Sequence, residues 1–476
     1  MKNKNLLLFF LLCIISRLLF TIYYIEDIDS LRFALSTFEF NIANQMPHFP
    51  GYPIYCFILK VLFLSTKSLG LSFSLIGGIS IFLISIFLDK IWVLFFNKNS
   101  LRIWVMVFFT PLLFLMSTRY MPDILGLAFL IMSLYFFLSY MKTDDKRSIY
   151  IFSFLLGLEM GVRLSFMPFF LPCFVFLFFN SKSVFFKSVF IFLLSNILWI
   201  IPFVFINDFE EFLKIALNST EGHFTSWGGG IISEEGSLSY RFFKMIESIF
   251  SDGLGGYWKN RHWLTVSLGL FWVLYIIIGL FSIFIKKTKF NNSFKVIFLC
   301  CLTYFIWIFF FQNIIYKPRH ILPFLPFIIL IVEYCITFNI LQNKKIIYYS
   351  TFIFFLNLIF VSSFLSWQHT KRSSISQIKE YVLKNKGHQT IVFSSSLMNY
   401  YFSNHSGFED IVLVDNKDEL LKMKSDFSGQ ETIFSSFEID TIINHNKSEF
   451  QLFHHNPYVN RLWYKLPLYT YNLDEK

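Results

Sequence analysis

The chain reads as a mainly α, polytopic membrane protein of about 11 transmembrane helices, with surface helices in its first external loop and a small C-terminal α/β domain. Three observations predict this. Composition is the first: 55% hydrophobic residues, 15% charged residues and a mean hydropathy of +0.56 are too apolar for an ordinary soluble domain. The second is a succession of apolar runs long enough, or nearly so, to cross ~30 Å of hydrocarbon, separated by short basic loops. The third is a change of character beyond residue 375, where short β-like runs alternate with helical ones. Residues 1–370 are therefore expected to form the transmembrane domain and 371–476 a soluble extracytoplasmic domain.

The apolar runs fall at 6–25, 72–96, 101–117, 122–141, 149–162, 165–180, 184–206, 264–285, 294–313, 319–340 and 346–366. With the N-terminus cytoplasmic, the loops expected inside carry Lys98 and Arg102, then Lys142, Lys146 and Arg147, then Lys182 and Lys187, then Lys286, Lys287, Lys289 and Lys295, and finally Lys344 and Lys345. Each obeys the positive-inside bias. The formal charge of +10 is thus a matter of topology, which argues against a nucleic-acid partner. Lys2 and Lys4 before the first run, with no small-residue cleavage site after it, point to a retained signal anchor in a bacterial-type inner membrane.

An apolar stretch from Tyr52 to Leu64 would invert every later loop if it crossed, so it is read as an interfacial helix with Lys60 and Lys67 reaching to the surface. Ser30 to Ala43 is read as a second surface helix, capped by Ser30, since Leu31, Ala34, Leu35, Phe38 and Ile42 recur at helical spacing. The tail offers strands at 390–393, 411–414, 432–434 and 466–471 and helices at 397–402 and 417–424. All six cysteines lie in apolar surroundings and read as small buried hydrophobes. His454 and His455 lack the neighbours that a metal set requires. No internal repeat favours a transporter built from inverted halves.

On this topology nearly every chemically interesting residue collects outside. Glu26, Asp27 and Asp29 follow the first span. In an extended loop Asp27 and Asp29 point the same way, and such a pair can hold a divalent cation or divide the work of positioning a nucleophile and taking its proton. Glu26 reads as a solvated neighbour. Asp123 is a second external carboxylate, at a helix start where the dipole alone would favour it. Arg163, Lys317, Arg319 and His320 place cations at the outer edge. Snorkelling is their ordinary fate, but three basic side chains within Lys317-Pro318-Arg319-His320 suit an anion such as a lipid phosphate. His223 and Trp227, flanking the glycine-rich loop 228–230, could grip a sugar by hydrogen bonding and stacking, or simply form a turn with an interfacial Trp.

Five features in order, namely the acidic run, His48-Phe49-Pro50-Gly51-Tyr52-Pro53, Asp123, the Gly157-x-x-x-Gly161-x-Arg163 turn and Lys317 to Pro326, resemble the GT-C superfamily of integral-membrane glycosyltransferases. The resemblance covers about residues 1–370, and it is to enzymes such as protein O-mannosyltransferases and aminoarabinose transferases. One departure is Phe49, which stands where many relatives have the first of two adjacent prolines after the His. The resemblance implies transfer of a sugar from a polyprenyl-phosphate carrier to a glycan, lipid or protein acceptor on the extracytoplasmic face. It implies Asp29 as base with Asp27 as rival or partner, Asp123 as second carboxylate, and Arg163 and Arg319 on the lipid phosphate, with His48, Lys317 and His320 beside the substrate. No cofactor is required by it, and a divalent cation stays open. The residues alone also admit a transporter or a flippase for lipid-linked glycans without transfer chemistry.

Overall fold

A computed structural model describes residues 3–206, 208–233, 237–259, 261–285, 292–338, 344–424, 431–458, 461 and 463–473. Lys286, Lys287 and Lys289, assigned above to a cytoplasmic loop, lie outside them. The chain forms two compact units, Met1–Ile22 with Arg32–Gln368, and Tyr23–Leu31 with His369–Lys476.

The first unit is helical. Its elements are α1 (Asn3–Leu19), α2 (Ile28–Ser36, whose first turn belongs to the second unit), α3 (Pro53–Thr66), α4 (Leu69–Phe96), α5 (Leu101–Phe109), α6 (Pro111–Met116), α7 (Asp123–Thr143), α8 (Lys146–Arg163), α9 (Leu171–Asn180), α10 (Lys182–Ile206), α11 (Phe209–Thr225), α12 (Leu238–Glu247), α13 (Thr265–Ile285), α14 (Asn292–Phe311), α15 (Leu325–Phe338) and α16 (Lys344–His369). Among the described residues eight stretches are long and apolar enough to cross a membrane, and the chain is an integral membrane protein. α3, with 14 residues and a length of ~21 Å, is too short to cross.

The run at 101–117, expected as one span, is broken into α5 and α6. Pro111 has no N–H to continue the ladder, and the Thr110 hydroxyl donates back to the Met106 carbonyl at 2.6 Å. Arg17 of α1 fills the break. Its Nη2 donates to the Phe108 carbonyl and its Nε to Ser117 Oγ, both at 3.0 Å, while the guanidinium lies over the Phe108 and Phe114 rings. On the other side of the unit Arg102 makes a two-pronged bond to the fully buried Glu333, at 2.9 and 2.6 Å, tying α5 to α15.

The surface helix expected over Ser30–Ala43 is shorter and starts earlier. Asp27, not Ser30, is the cap: its Oδ1 accepts from the Ser30 backbone N–H at 2.8 Å. The helix stops at Ser36 because the Ser36 and Thr37 hydroxyls bond back to the Phe33 carbonyl at 2.8 and 3.3 Å. Lys60 closes the end by donating to the Thr37 carbonyl at 2.6 Å, instead of reaching to the surface. The chain then turns through an Asn41–Met46 bridge.

The second unit holds a five-stranded sheet in the order β2-β1-β3-β5-β4, with β1 (Gln389–Phe393), β2 (Val412–Val414), β3 (Glu431–Ser435), β4 (Glu449–His454) and β5 (Lys465–Asn472). β1 pairs in parallel with β2 and β3, whereas β5 runs antiparallel to β3 and β4. Helices α17 (Ser374–Lys384), α18 (Ser396–Ser403), α19 (Lys417–Lys424) and α20 (Asp440–Ile443) accompany it. Ile391, Phe393, Val414, Leu420, Ile433 and Tyr471 form one core on a single sheet face. The edge strand β4 was not among the expected strands.

Candidate functional site

Four helix termini of the first unit meet in one polar cluster. Asp123 is the first residue of α7 and Arg163 the last of α8. Arg319 lies in the 3-10 turn Pro318–Phe324 that opens α15, and Tyr52 immediately precedes α3. An Arg163 Nη2–Asp123 Oδ1 pair at 2.9 Å forms the centre, and Arg319 Nε approaches the same oxygen at 3.7 Å. The pair is almost wholly buried, with side-chain exposures of 5% and 0%. Arg163 can come so close because position 126 has no side chain: a Cβ there would stand 2.6 Å from the Arg163 Cβ.

Arg163 Nη1 also donates to the Tyr52 hydroxyl at 3.2 Å, and His48 Nε2 lies 3.1 Å from that hydroxyl. Tyr52 holds a left-handed backbone, φ 47°, which costs a bulky residue about 1–2 kcal/mol. Such strain in a residue that bridges two site side chains marks a constrained position. Tyr55 steadies the opposite side by donating to the Met121 carbonyl at 2.9 Å, two residues before Asp123. His320 is buried, and its carbonyl accepts from the Tyr304 hydroxyl at 2.9 Å. Lys317 is half-buried at the start of the same turn. One turn down α8 from Arg163, Glu159 is fully buried, and neither of its oxygens has a hydrogen bond among the described residues.

The glycine loop packs on the end of α14. Ile231 N donates to the Phe310 carbonyl at 3.0 Å, and His223 Nε2 lies 3.0 Å from the Phe311 carbonyl. His223 and Trp227 meet edge to face at 5.8 Å, with Trp227 60% exposed. Gly228 is required by close approach, since a Cβ would stand 1.9 Å from the His223 carbonyl oxygen. Burial lowers the His223 pKa, with Lys317 adding to the effect and the Phe311 carbonyl opposing it, so the imidazole is neutral at pH 7.

Asp27 and Asp29 belong to the second unit. They do not form the parallel pair expected of an extended loop, because Asp27 caps α2 while Asp29 stands in its first turn. Among the described residues no group of three or more His, Cys, Asp and Glu is suited to hold a metal. Glu26 is fully buried, not solvated, and its Oε1 lies 3.1 Å from His369 Nε2.

The sequence reading missed several positions. Arg241 donates to the Phe309 carbonyl at 2.5 Å and also to the Gln312 carbonyl, while Ser248 Oγ donates to the Ile314 carbonyl at 3.2 Å. Arg261 pairs with buried Asp252 at 2.9 Å, fixing the π-helical turn Ser248–Gly253, whose Gly253 lies against Ile321 and Leu325. Charged residues are common along 207–262, so nothing in the sequence set these apart.

No family model and no curated protein sequence matches the chain. Among solved structures it is similar to ArnT from Cupriavidus metallidurans bound to undecaprenyl phosphate, at 11% identity over 98% of each chain and a TM-score of 0.59. It is equally similar to the apo form of that protein, at 10% identity over 98% of each chain and a TM-score of 0.60. Likeness along nearly the whole of both chains means that this protein has the same fold as ArnT.

Proposed function

We propose that the chain is a membrane glycosyltransferase that moves a sugar from a polyprenyl-phosphate carrier to a glycan, lipid or protein acceptor on the extracytoplasmic face. The observation that carries this is the buried cluster in which Arg163 and Arg319 both approach the same oxygen of Asp123, in the fold of a protein solved with undecaprenyl phosphate. Two guanidiniums gathered at one point suit a phosphate, which each can meet with bidentate hydrogen bonds. The cluster stands at helix ends, the height at which a lipid-borne phosphate is presented, and not at the middle of the bundle, where a transport route would be expected.

In this reading the reaction is a single displacement with inversion. The acceptor hydroxyl oxygen bonds to the anomeric carbon and its proton passes to Asp29, while the bond from that carbon to the phosphate oxygen breaks and polyprenyl phosphate departs. Arg163 and Arg319, with Lys317, stabilise the charge gathering on the leaving phosphate. Tyr52 and His48 orient Arg163, His320 lines the same turn, and neutral His223 with exposed Trp227 is suited to hold the sugar. Asp123 keeps the two arginines at fixed spacing.

The test is transfer from a panel of labelled polyprenyl-phosphate sugars by purified protein and by Asp29→Asn, each with and without EDTA. Loss of transfer in a folded Asp29→Asn protein is expected; full activity would remove the base assignment. A drop on EDTA treatment would show a divalent cation at work.

A further inference from the structure

The acidic segment has no regular structure before α2 begins, so no backbone ladder fixes residues 23–27. Side chains from the far end of the chain fix it instead. Tyr401 of α18 donates its hydroxyl to the Ile25 carbonyl at 2.7 Å. Tyr24 donates its own to the carbonyl of His369 at 2.6 Å, and the His369 ring stands 3.1 Å from Glu26. Three consecutive residues, 24, 25 and 26, are thus held immediately before the Asp27 cap, and all of these partners are buried.

Tyr401 is itself rigid. Its ring meets Trp463 edge-on at 6.3 Å and His405 at 4.5 Å, and α18 follows β1, an interior strand of the sheet. Burial raises the Tyr401 pKa, and the nearby charges of Asp27 and Glu26 raise it further, so the phenol keeps the proton it donates. α2 has only nine residues, too few to define its own first turn in isolation. Residues 24–27 lead directly into the turn that carries Asp29, so where they are anchored bears on its direction.

We infer that the C-terminal unit is the mount of the acidic turn: Tyr401, His369, Tyr24 and Glu26 are positioning residues that aim Asp29. This rests on the reading of Asp29 as base. Misplacing a reacting group by about 1 Å costs on the order of a hundredfold in rate, whereas donor binding through its phosphate is assigned to Arg163, Arg319 and Lys317, which neither variant below touches.

The test uses the full-length protein in detergent with Tyr401→Phe and, separately, Glu26→Gln, both of which keep side-chain size. The expected result is a fall in kcat of about ten- to a hundredfold with KM for the polyprenyl-phosphate sugar within about twofold. Amide exchange at residues 28–31 should accelerate in both variants, while exchange within β1 and β3 stays as in the parent. Tyr401→Phe should cost nothing further in an Asp29→Asn background. Unchanged kcat in variants whose turn exchanges faster overturns the positioning role. Unchanged exchange overturns the anchor, whatever the chemistry, and full activity of Asp29→Asn overturns the base assignment, whatever the exchange.

Discussion

Replacing Asp123 by Asn, alone and together with Arg163→Gln, probes the centre of the site. The pair is 2.9 Å apart with exposures of 5% and 0%, so water screens it little. At an effective dielectric constant of ~20 the attraction at that distance is about 6 kcal/mol, and the 3.7 Å approach of Arg319 adds about 4 kcal/mol. Desolvation offsets much of this, so the expected loss is the ~3–5 kcal/mol that follows when one partner of a buried pair is left alone. Arg163→Gln should cost a similar amount, yet the double variant should fall short of the sum by about 2 kcal/mol or more, because it removes both buried charges. Equilibrium unfolding in detergent micelles, followed by tryptophan fluorescence, measures all four corners of the cycle. Additivity within about 0.5 kcal/mol would refute the claim that these two residues form one buried unit.

Gly126→Ala should destabilise by about 1–3 kcal/mol and raise KM for a polyprenyl-phosphate sugar, because the new Cβ meets the Arg163 Cβ at 2.6 Å; unfolding and steady-state kinetics read the two effects. His405 gives a pH dependence. Burial, with Lys379 adding and the Tyr401 carbonyl opposing, pushes its pKa from 6.5 down to about 4. A depressed histidine binds its proton more readily in the unfolded chain, so its contribution is complete above pH ~6.5 and is lost as pH falls towards 4. The loss should be about 2 kcal/mol after allowance for partial exposure, seen as a thermal transition that drops less steeply with acid in His405→Gln than in the parent.

Much of this was legible in the sequence where the signal is local. Runs of apolar residues mark the helices, and the strands β1, β3 and β5 fall close to the expected runs because buried strands read as continuous hydrophobic stretches. The edge strand β4 was invisible for the opposite reason: Glu449, Gln451 and His454 interrupt its apolar pattern. Asp123, Arg163 and Arg319 each stood out as charges beside spans. Their convergence was expected only through the family resemblance, because what brings it about, a missing side chain at Gly126 and the 3-10 turn at Pro318, leaves no local mark. Glu26 was misread because its partner His369 is on the last long helix, and charge at a membrane edge looks solvated when the partner is unknown. The helical spacing through Ile42 was genuine, yet two hydroxyls at Ser36 and Thr37 end the helix earlier.

The tethers on Ile25 and Tyr24 span 376 and 345 residues of sequence. During synthesis at ~5–20 residues per second, Ile25 is made roughly 20–75 s before Tyr401 exists. For that interval the first loop has no mount, and the acidic turn is an unanchored stretch of nine residues. An early-terminated chain would therefore carry the whole arginine cluster beside a first loop that the later helices do not yet hold. In the proposed reaction, completion of the last helix and the domain beyond it would be the event that aims Asp29, delaying reactivity until His369 and Tyr401 have been made.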